Sequence, residues 1–201
     1  MELLAWAAEA DARVLEDDYD SEFRYAGRPL PALKSLDRGQ RVLYAGSFSK
    51  LLFPALRLGY LVVPPDLAAA FVRAATLLTA GQPPLEQRVV AAFIASGQFA
   101  RHIKRMRALY AERRLALAAA LEASGVTVET PPGGMHLLAR CTGADNDSVL
   151  ARRAAAAGLA PVALSALAMA HDCGQGLLLG FANVPAAEAE AVVARLLAAS
   201  V

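Results

Sequence analysis

Apolar and polar positions follow two periods along this chain of 201 residues, and the switches between them mark its elements. Glu2 to Asp11 (ELLAWAAEAD) spaces its apolar residues as a helix does, which predicts an amphipathic helix, with a short strand over 13–17 behind it. Apolar runs over 41–46 and 58–63 predict two more strands. Pro64 and Pro65 stop the second of these, and Asp66 is the expected N-cap of a helix reaching about Thr79. The cluster Gly81-Gln82-Pro83-Pro84 predicts a break before a helix from about Leu85 to Ser96. A longer helix starts at Gly97. Phe99, Ile103, Met106, Tyr110 and Leu117 give it an apolar stripe, so Arg101, Arg105, Arg107, Arg113 and Arg114 read as its solvated face rather than a nucleic-acid surface.

From Val126 the elements shorten. Strands are predicted at 126–129 and 135–139 around the turn Pro131-Pro132-Gly133-Gly134, a helix at 147–157, and strands at 159–164 and 177–182. Pro185 opens a final helix, where proline suits the first turn. The second part of the chain therefore reads as α+β.

Composition narrows the class. The chain is 56% hydrophobic and 19% charged, which forms a core rather than a disordered chain. A net charge of +1 implies no polyelectrolyte partner, so no nucleic acid is expected to bind this chain directly. Cys141 and Cys173 lack metal-ligand spacing and fit a reducing cytoplasm. The apolar stretch near the N-terminus has no basic flank, and no apolar run approaches the ~20 residues that span a bilayer. A soluble, cytoplasmic protein is expected, and the alanine and arginine bias points to a bacterial source.

The chemistry centres on Ser47-Phe48-Ser49-Lys50. Only Lys34, Lys50 and Lys104 are lysine, against 17 arginines. A lysine kept between two apolar strands suits what arginine cannot do, namely imine formation by an amine able to lose its proton. Ser47 before it and Arg57 after it are the hydroxyl and guanidinium that the phosphate of a phosphorylated aldehyde would need. The competing reading is a lysine snorkelling to solvent with a surface arginine. Upstream, Glu16-Asp17-Asp18-Tyr19-Asp20 packs four acids around one phenol. A pyridine cofactor gives that cluster a purpose: Asp17 would pair with the protonated ring nitrogen, and Tyr19 would hydrogen-bond the ring hydroxyl. Both segments lie at C-terminal ends of predicted strands, where open α/β sheets hold ligands.

The stretches EDDYDSEFRY and SFSKLLFPALRLGY resemble the pyridoxal 5'-phosphate core of fold-type-I aminotransferases. More narrowly, they resemble the aminotransferase-like domain of MocR-type (GntR superfamily) transcription regulators. The resemblance continues weakly through PPGGMHLLAR and GLLLGFANVP. It implies an α/β fold: part of the large cofactor-binding domain over 1–110, followed by a small α+β domain over 111–201. It also implies Lys50 as the residue carrying the cofactor, Asp17 on the pyridine nitrogen, Tyr19 on the ring hydroxyl, and Ser47 and Arg57 on the phosphate. A homodimer is expected, with an amine or amino acid as ligand.

Two departures from the family pattern matter. Further phosphate-binding amides, a stacking aromatic and a DNA-binding winged helix come, in that family, from segments preceding the first helix here. The chain is thus expected to match a C-terminal half, with an open strand edge and apolar patches. The arginine that clamps a substrate carboxylate in aminotransferases falls at Leu178, with Arg140 as a possible substitute or a plain surface residue. His102, His136 and His171 receive no catalytic role, and His102 and His171 are expected to be exposed. Three readings follow: an effector-sensing regulator domain, a catalytic aminotransferase, or a remnant that keeps the motifs without a complete site.

Overall fold

The computed structural model describes residues 1–79, 84–141 and 146–199. Of the predicted break, Gly81, Gln82 and Pro83 lie outside the described residues. The chain forms two compact units, Met1–Glu22 with Arg28–Lys104, and Phe23–Gly27 with Arg105–Val201.

The first unit is built on a three-stranded sheet, β1 (Val14–Asp18), β2 (Val42–Ser47) and β3 (Gly59–Val62), in that order. β1 runs parallel to β2, with Asp17 opposite Ala45, and β3 runs antiparallel to it, with Ser47 opposite Gly59. The helices are α1 (Glu2–Glu9), α2 (Leu33–Leu36), α3 (Pro65–Thr79), α4 (Pro84–Ala95) and the start of α5 (Gln98–Ala123). Ala7, Val42, Leu51, Val90 and Ile103 are buried. That core is thin, and several other apolar residues stay in water: Leu15 is 66% exposed, and Leu77 and Leu78 are each 85% exposed. Every residue of β3 is exposed.

One expectation changes here. Helix α3 starts at Pro65, so Asp66 lies inside the first turn and is not the N-cap. Proline has no N–H to lose at that position and its fixed φ already matches a helix. Asp66 still suits the positive helix end, and it faces Arg13 at 3.6 Å. The loop over 28–39 contains the short helix α2, whose Leu33 and Lys34 N–H groups donate to the Glu16 carboxylate at 2.7 and 2.9 Å.

The second unit packs an antiparallel sheet, ordered β4 (Val128–Glu129), β5 (His136–Arg140), β7 (Gly176–Gly180), β6 (Val162–Ala163), against α5, α6 (Asp147–Ala156) and α7 (Ala189–Ala198). Leu117 and Leu121 of α5, Leu150 of α6 and Val193 and Leu196 of α7 close over Leu137, Ala139, Leu177 and Leu179. The predicted strands at 126–129 and 159–164 shorten to two residues each, because only those residues find a partner strand in register. Phe23–Gly27 joins this unit through backbone bonds: Gly134 N–H donates to Phe23 O at 3.0 Å and Tyr25 N–H to Pro132 O at 2.9 Å. The Phe23 ring meets Tyr110 edge-on, and the Arg114 guanidinium sits 5.2 Å above the Tyr25 ring. EDDYDSEFRY is thus divided, its acids in one unit and its last aromatics in the other.

Among the described residues, one carboxylate is fully buried. Asp147, in the first turn of α6, accepts from the Ser165 hydroxyl, from Ser165 N–H at 3.0 Å and from Gly176 N–H at 3.0 Å. Burial pushes its pKa up, but those donors outweigh it and hold the group below the usual aspartate value.

Candidate functional site

Lys50 sits on a closed turn between β2 and β3. Phe48 N–H donates to Leu58 O at 3.0 Å, Leu52 N–H to Phe48 O at 2.8 Å, and Ser49 N–H to the Ser47 hydroxyl at 3.1 Å. Leu51 is buried and roots the turn, while Lys50 beside it is exposed. Lys50 makes no hydrogen bond or ion pair among the described residues. Its amine is therefore open to a reactant.

The acid cluster is sorted by the pleat of β1, since successive strand residues point to opposite faces. Glu16 and Asp18 share one face, and both are engaged. Glu16 holds the start of α2, and Asp18 accepts from Ser21 N–H at 3.1 Å, the Ser21 hydroxyl at 2.7 Å and the Tyr44 hydroxyl at 2.8 Å. Burial first, and then that bond to Asp18, push the Tyr44 phenol above the usual tyrosine range. Asp17 lies on the other face, exposed, with no polar partner among the described residues. Tyr19, just beyond the strand, is likewise exposed.

Arg57 adopts a left-handed backbone, φ 50° and ψ 31°, at the end of the short turn Pro54–Leu56. Such a conformation is uncommon outside glycine and often marks a functional position. It leads straight into Gly59, where a side chain would press on Gly46 O at 3.0 Å. Gly46 is also required: a Cβ there would fall 2.3 Å from the Tyr60 ring, which lies across it.

Strand pairing gathers these residues at one end of the sheet. Asp17 is opposite Ala45, Ser47 follows two residues later on the same face of β2, and Ser47 is opposite Gly59, beside Arg57. Lys50 leaves from the same end. Asp17, Tyr19, Ser47, Lys50 and Arg57 thus all leave the first sheet at the C-terminal ends of its parallel strands, the end where such sheets bind ligands.

Sequence reasoning overlooked three contributors here. Tyr44 and Tyr60 are in ring contact at 6.1 Å, and Tyr60 also meets Phe48 at 5.5 Å. His102, expected to be exposed, is half-buried, with Nε2 2.8 Å from Leu51 O. Its place one helical turn from Phe99 and Met106, beside the apolar stripe, was the available signal.

In the second unit, Leu178 is opposite Leu138 on β5 and Val162 on β6, in an apolar row. Arg140 is held by Glu129, Nε to Oε1 at 2.6 Å, and by Cys173 O at 2.9 Å. It is a strand-end ion pair, not an unengaged guanidinium. His136 is exposed opposite Gly180. Among the described residues no three His, Cys, Asp or Glu side chains gather as metal ligands, and no helix is long and apolar enough to cross a membrane.

An α/β unit with a lysine turn at the strand ends and a separate α+β unit is the arrangement of a pyridoxal-dependent transferase, and the family model for class I and II aminotransferases matches residues 1–196. The chain belongs to that family. Among proteins, it is 43% identical over 189 residues to the probable rhizopine catabolism regulatory protein MocR of Rhizobium meliloti, covering 92% of this chain and 38% of that one. It is 41% identical over 160 residues to the transcriptional regulator TauR of Rhodobacter capsulatus, covering 78% and 33%. Among solved structures, kynurenine aminotransferase of Pyrococcus horikoshii, described in complex with PMP, superposes with a TM-score of 0.86 at 31% identity. That match covers 98% of this chain and 50% of the other. The chain thus spans a third to a half of the length of these relatives.

Proposed function

We propose that this chain is the ligand-sensing, aminotransferase-like portion of a MocR-type regulator, that it holds pyridoxal 5'-phosphate at Lys50, and that it works as a homodimer responding to an amine or amino acid. The observation that carries this reading is the contrast within one short strand: Glu16 and Asp18 are tied up while Asp17 is left without a polar partner at the Lys50 end of the sheet. The donor set fits the cofactor. Arg57 and the Ser47 hydroxyl suit a phosphate dianion, Asp17 a protonated pyridine nitrogen, and Tyr19 a ring hydroxyl. When bound, the cofactor supplies an aldehyde that condenses with primary amines and a ring that accepts electron density.

Each residue then has a task. Arg57 and Ser47 would anchor the phosphate. The Asp17 carboxylate keeps a proton on the ring nitrogen. Lys50 Nζ would hold the cofactor, and as a free amine it would be a base able to take up and return a proton. A catalytic aminotransferase is the second reading, favoured by the same donor set and by the likeness to the kynurenine enzyme. Leu178 in its apolar row, and Arg140 engaged by Glu129, argue against a carboxylate clamp in the second unit.

Trapping tests the proposal. The chain is titrated with pyridoxal 5'-phosphate, the visible band is followed, and borohydride reduction is followed by mapping of the modified lysine. The expected result is a label confined to Lys50 and absent from Lys50→Ala. No band, or a label spread over Lys34 and Lys104, would overturn it. Added amines that shift the band without producing a carbonyl product mark a sensor, and release of that product marks an enzyme.

A further inference from the structure

We propose that His102 is a positioning residue for Lys50, holding the turn from α5; this rests on the reading that Lys50 carries the cofactor. The Ser47–Leu58 segment closes on itself by its own hydrogen bonds, Phe48 N–H to Leu58 O, Leu52 N–H to Phe48 O, and Ser49 N–H to Ser47 Oγ. Those bonds shape the turn. They do not hold it against the rest of its unit.

His102 does. Its Nε2 lies 2.8 Å from the carbonyl of Leu51, the residue directly after Lys50 and 51 positions away in sequence. A carbonyl oxygen only accepts, so Nε2 must carry the proton and donate. The Nε2–H neutral tautomer and the imidazolium both can. The ring packs beside Phe93 at 6.4 Å, and Phe99, one turn earlier on α5, meets the Phe48 ring at 6.0 Å. Helix α5 therefore grips the turn at Phe48 and at Leu51, two residues before Lys50 and one after it, with Phe93 of α4 against both of its rings. Leu51 buries its side chain in the same region, so the backbone at Lys50 is pinned from the polar and the apolar side together.

The consequence is geometric. Lys50 is long and exposed, and its amine reaches a fixed aldehyde only as reliably as its backbone is placed. Misplacement of a reacting group by ~1 Å can cost on the order of a hundredfold in rate. A histidine on a helix that carries none of the expected site residues would thus act on chemistry without touching a reactant.

The test compares the wild-type chain with His102→Ala, His102→Gln and the packing control Phe93→Leu. The first measurement, hydrogen exchange of the backbone amides over 48–52, needs no cofactor. The second is the rate of borohydride-trapped pyridoxal 5'-phosphate labelling at Lys50 relative to Lys34 and Lys104. His102→Ala is expected to speed exchange in the turn by about tenfold, the loss of one hydrogen bond, and to slow labelling at Lys50 alone. His102→Gln, whose amide N–H can reach the same carbonyl, is expected to restore both, and Phe93→Leu to change neither selectively. The proposal is overturned if exchange rises equally through the sheet and α5, if Gln fails where Ala fails, or if Lys50 labelling ignores a loosened turn. If the wild-type chain takes no label at Lys50, the cofactor reading fails by itself. Exchange then decides whether His102 holds the turn.

Discussion

Three adjacent carboxylates on β1 differ in what surrounds them, and they should differ in what their loss does. Glu16 caps α2 with two backbone bonds, so Glu16→Ala is expected to cost about 1 kcal/mol, as loss of a helix cap does. Asp18 holds Ser21 and Tyr44, and its removal should cost about as much while returning the Tyr44 phenol towards its usual pKa. Asp17 has no partner to lose, so Asp17→Ala should leave stability within about 0.5 kcal/mol. Its effect should fall on cofactor affinity instead. Urea unfolding of the three variants, with pyridoxal 5'-phosphate titrations beside it, checks the contrast. The alternation behind it was legible, because strand residues point to opposite faces in turn. Which face found partners was not, since Tyr44 and α2 come from 15 or more positions away.

At the scale of elements, Asp147 ties α6 to the Ser165 turn and to β7. Removing it strands two backbone N–H groups, one buried and one partly buried, and Asp147→Ala should cost about 3 kcal/mol. Asparagine should cost less. The pH dependence follows from a folded pKa held below the unfolded one. The contribution is complete above the unfolded value of ~3.9 and is lost as pH falls through the lower folded value. The advantage of wild type over Asp147→Asn should therefore be full at neutral pH and shrink in acid below about pH 4. Denaturant titrations at several pH values measure it. A constant gap would contradict the argument. Nothing in the local pattern marked this aspartate, because its partners lie 18 and 29 residues on.

For the whole molecule, apolar exposure is the informative quantity. Among the described residues, both outer strands of the first sheet lack a neighbour on one side, and Leu15, Leu61, Val62, Leu77 and Leu78 are in water. Unpaired edges and large apolar patches recruit other surfaces. The isolated chain should bind a hydrophobic dye and associate with rising concentration, and Leu61→Lys with Val62→Thr should weaken both. Light scattering and dye fluorescence decide, and a monomeric chain that excludes the dye would refute it. The open edge was expected from the resemblance to a longer family. How much of α3 would face water was not, since a buried and an exposed apolar helix read alike in sequence.

The sequence by itself determined the kind and order of nearly every element, the lysine kept apart from 17 arginines, and the turn residues that end each strand. These depend on period and on local backbone preference, which neighbouring residues encode. Only the tertiary structure decided that Asp17 is the unengaged acid, that His102 reaches Leu51, and that Phe23–Gly27 belongs with the second unit. It also cut β4 and β6 to two residues each. Each of those outcomes turns on a pairing register or a contact between distant segments. Strand register is set by the partner as much as by the strand, so no local window contains it.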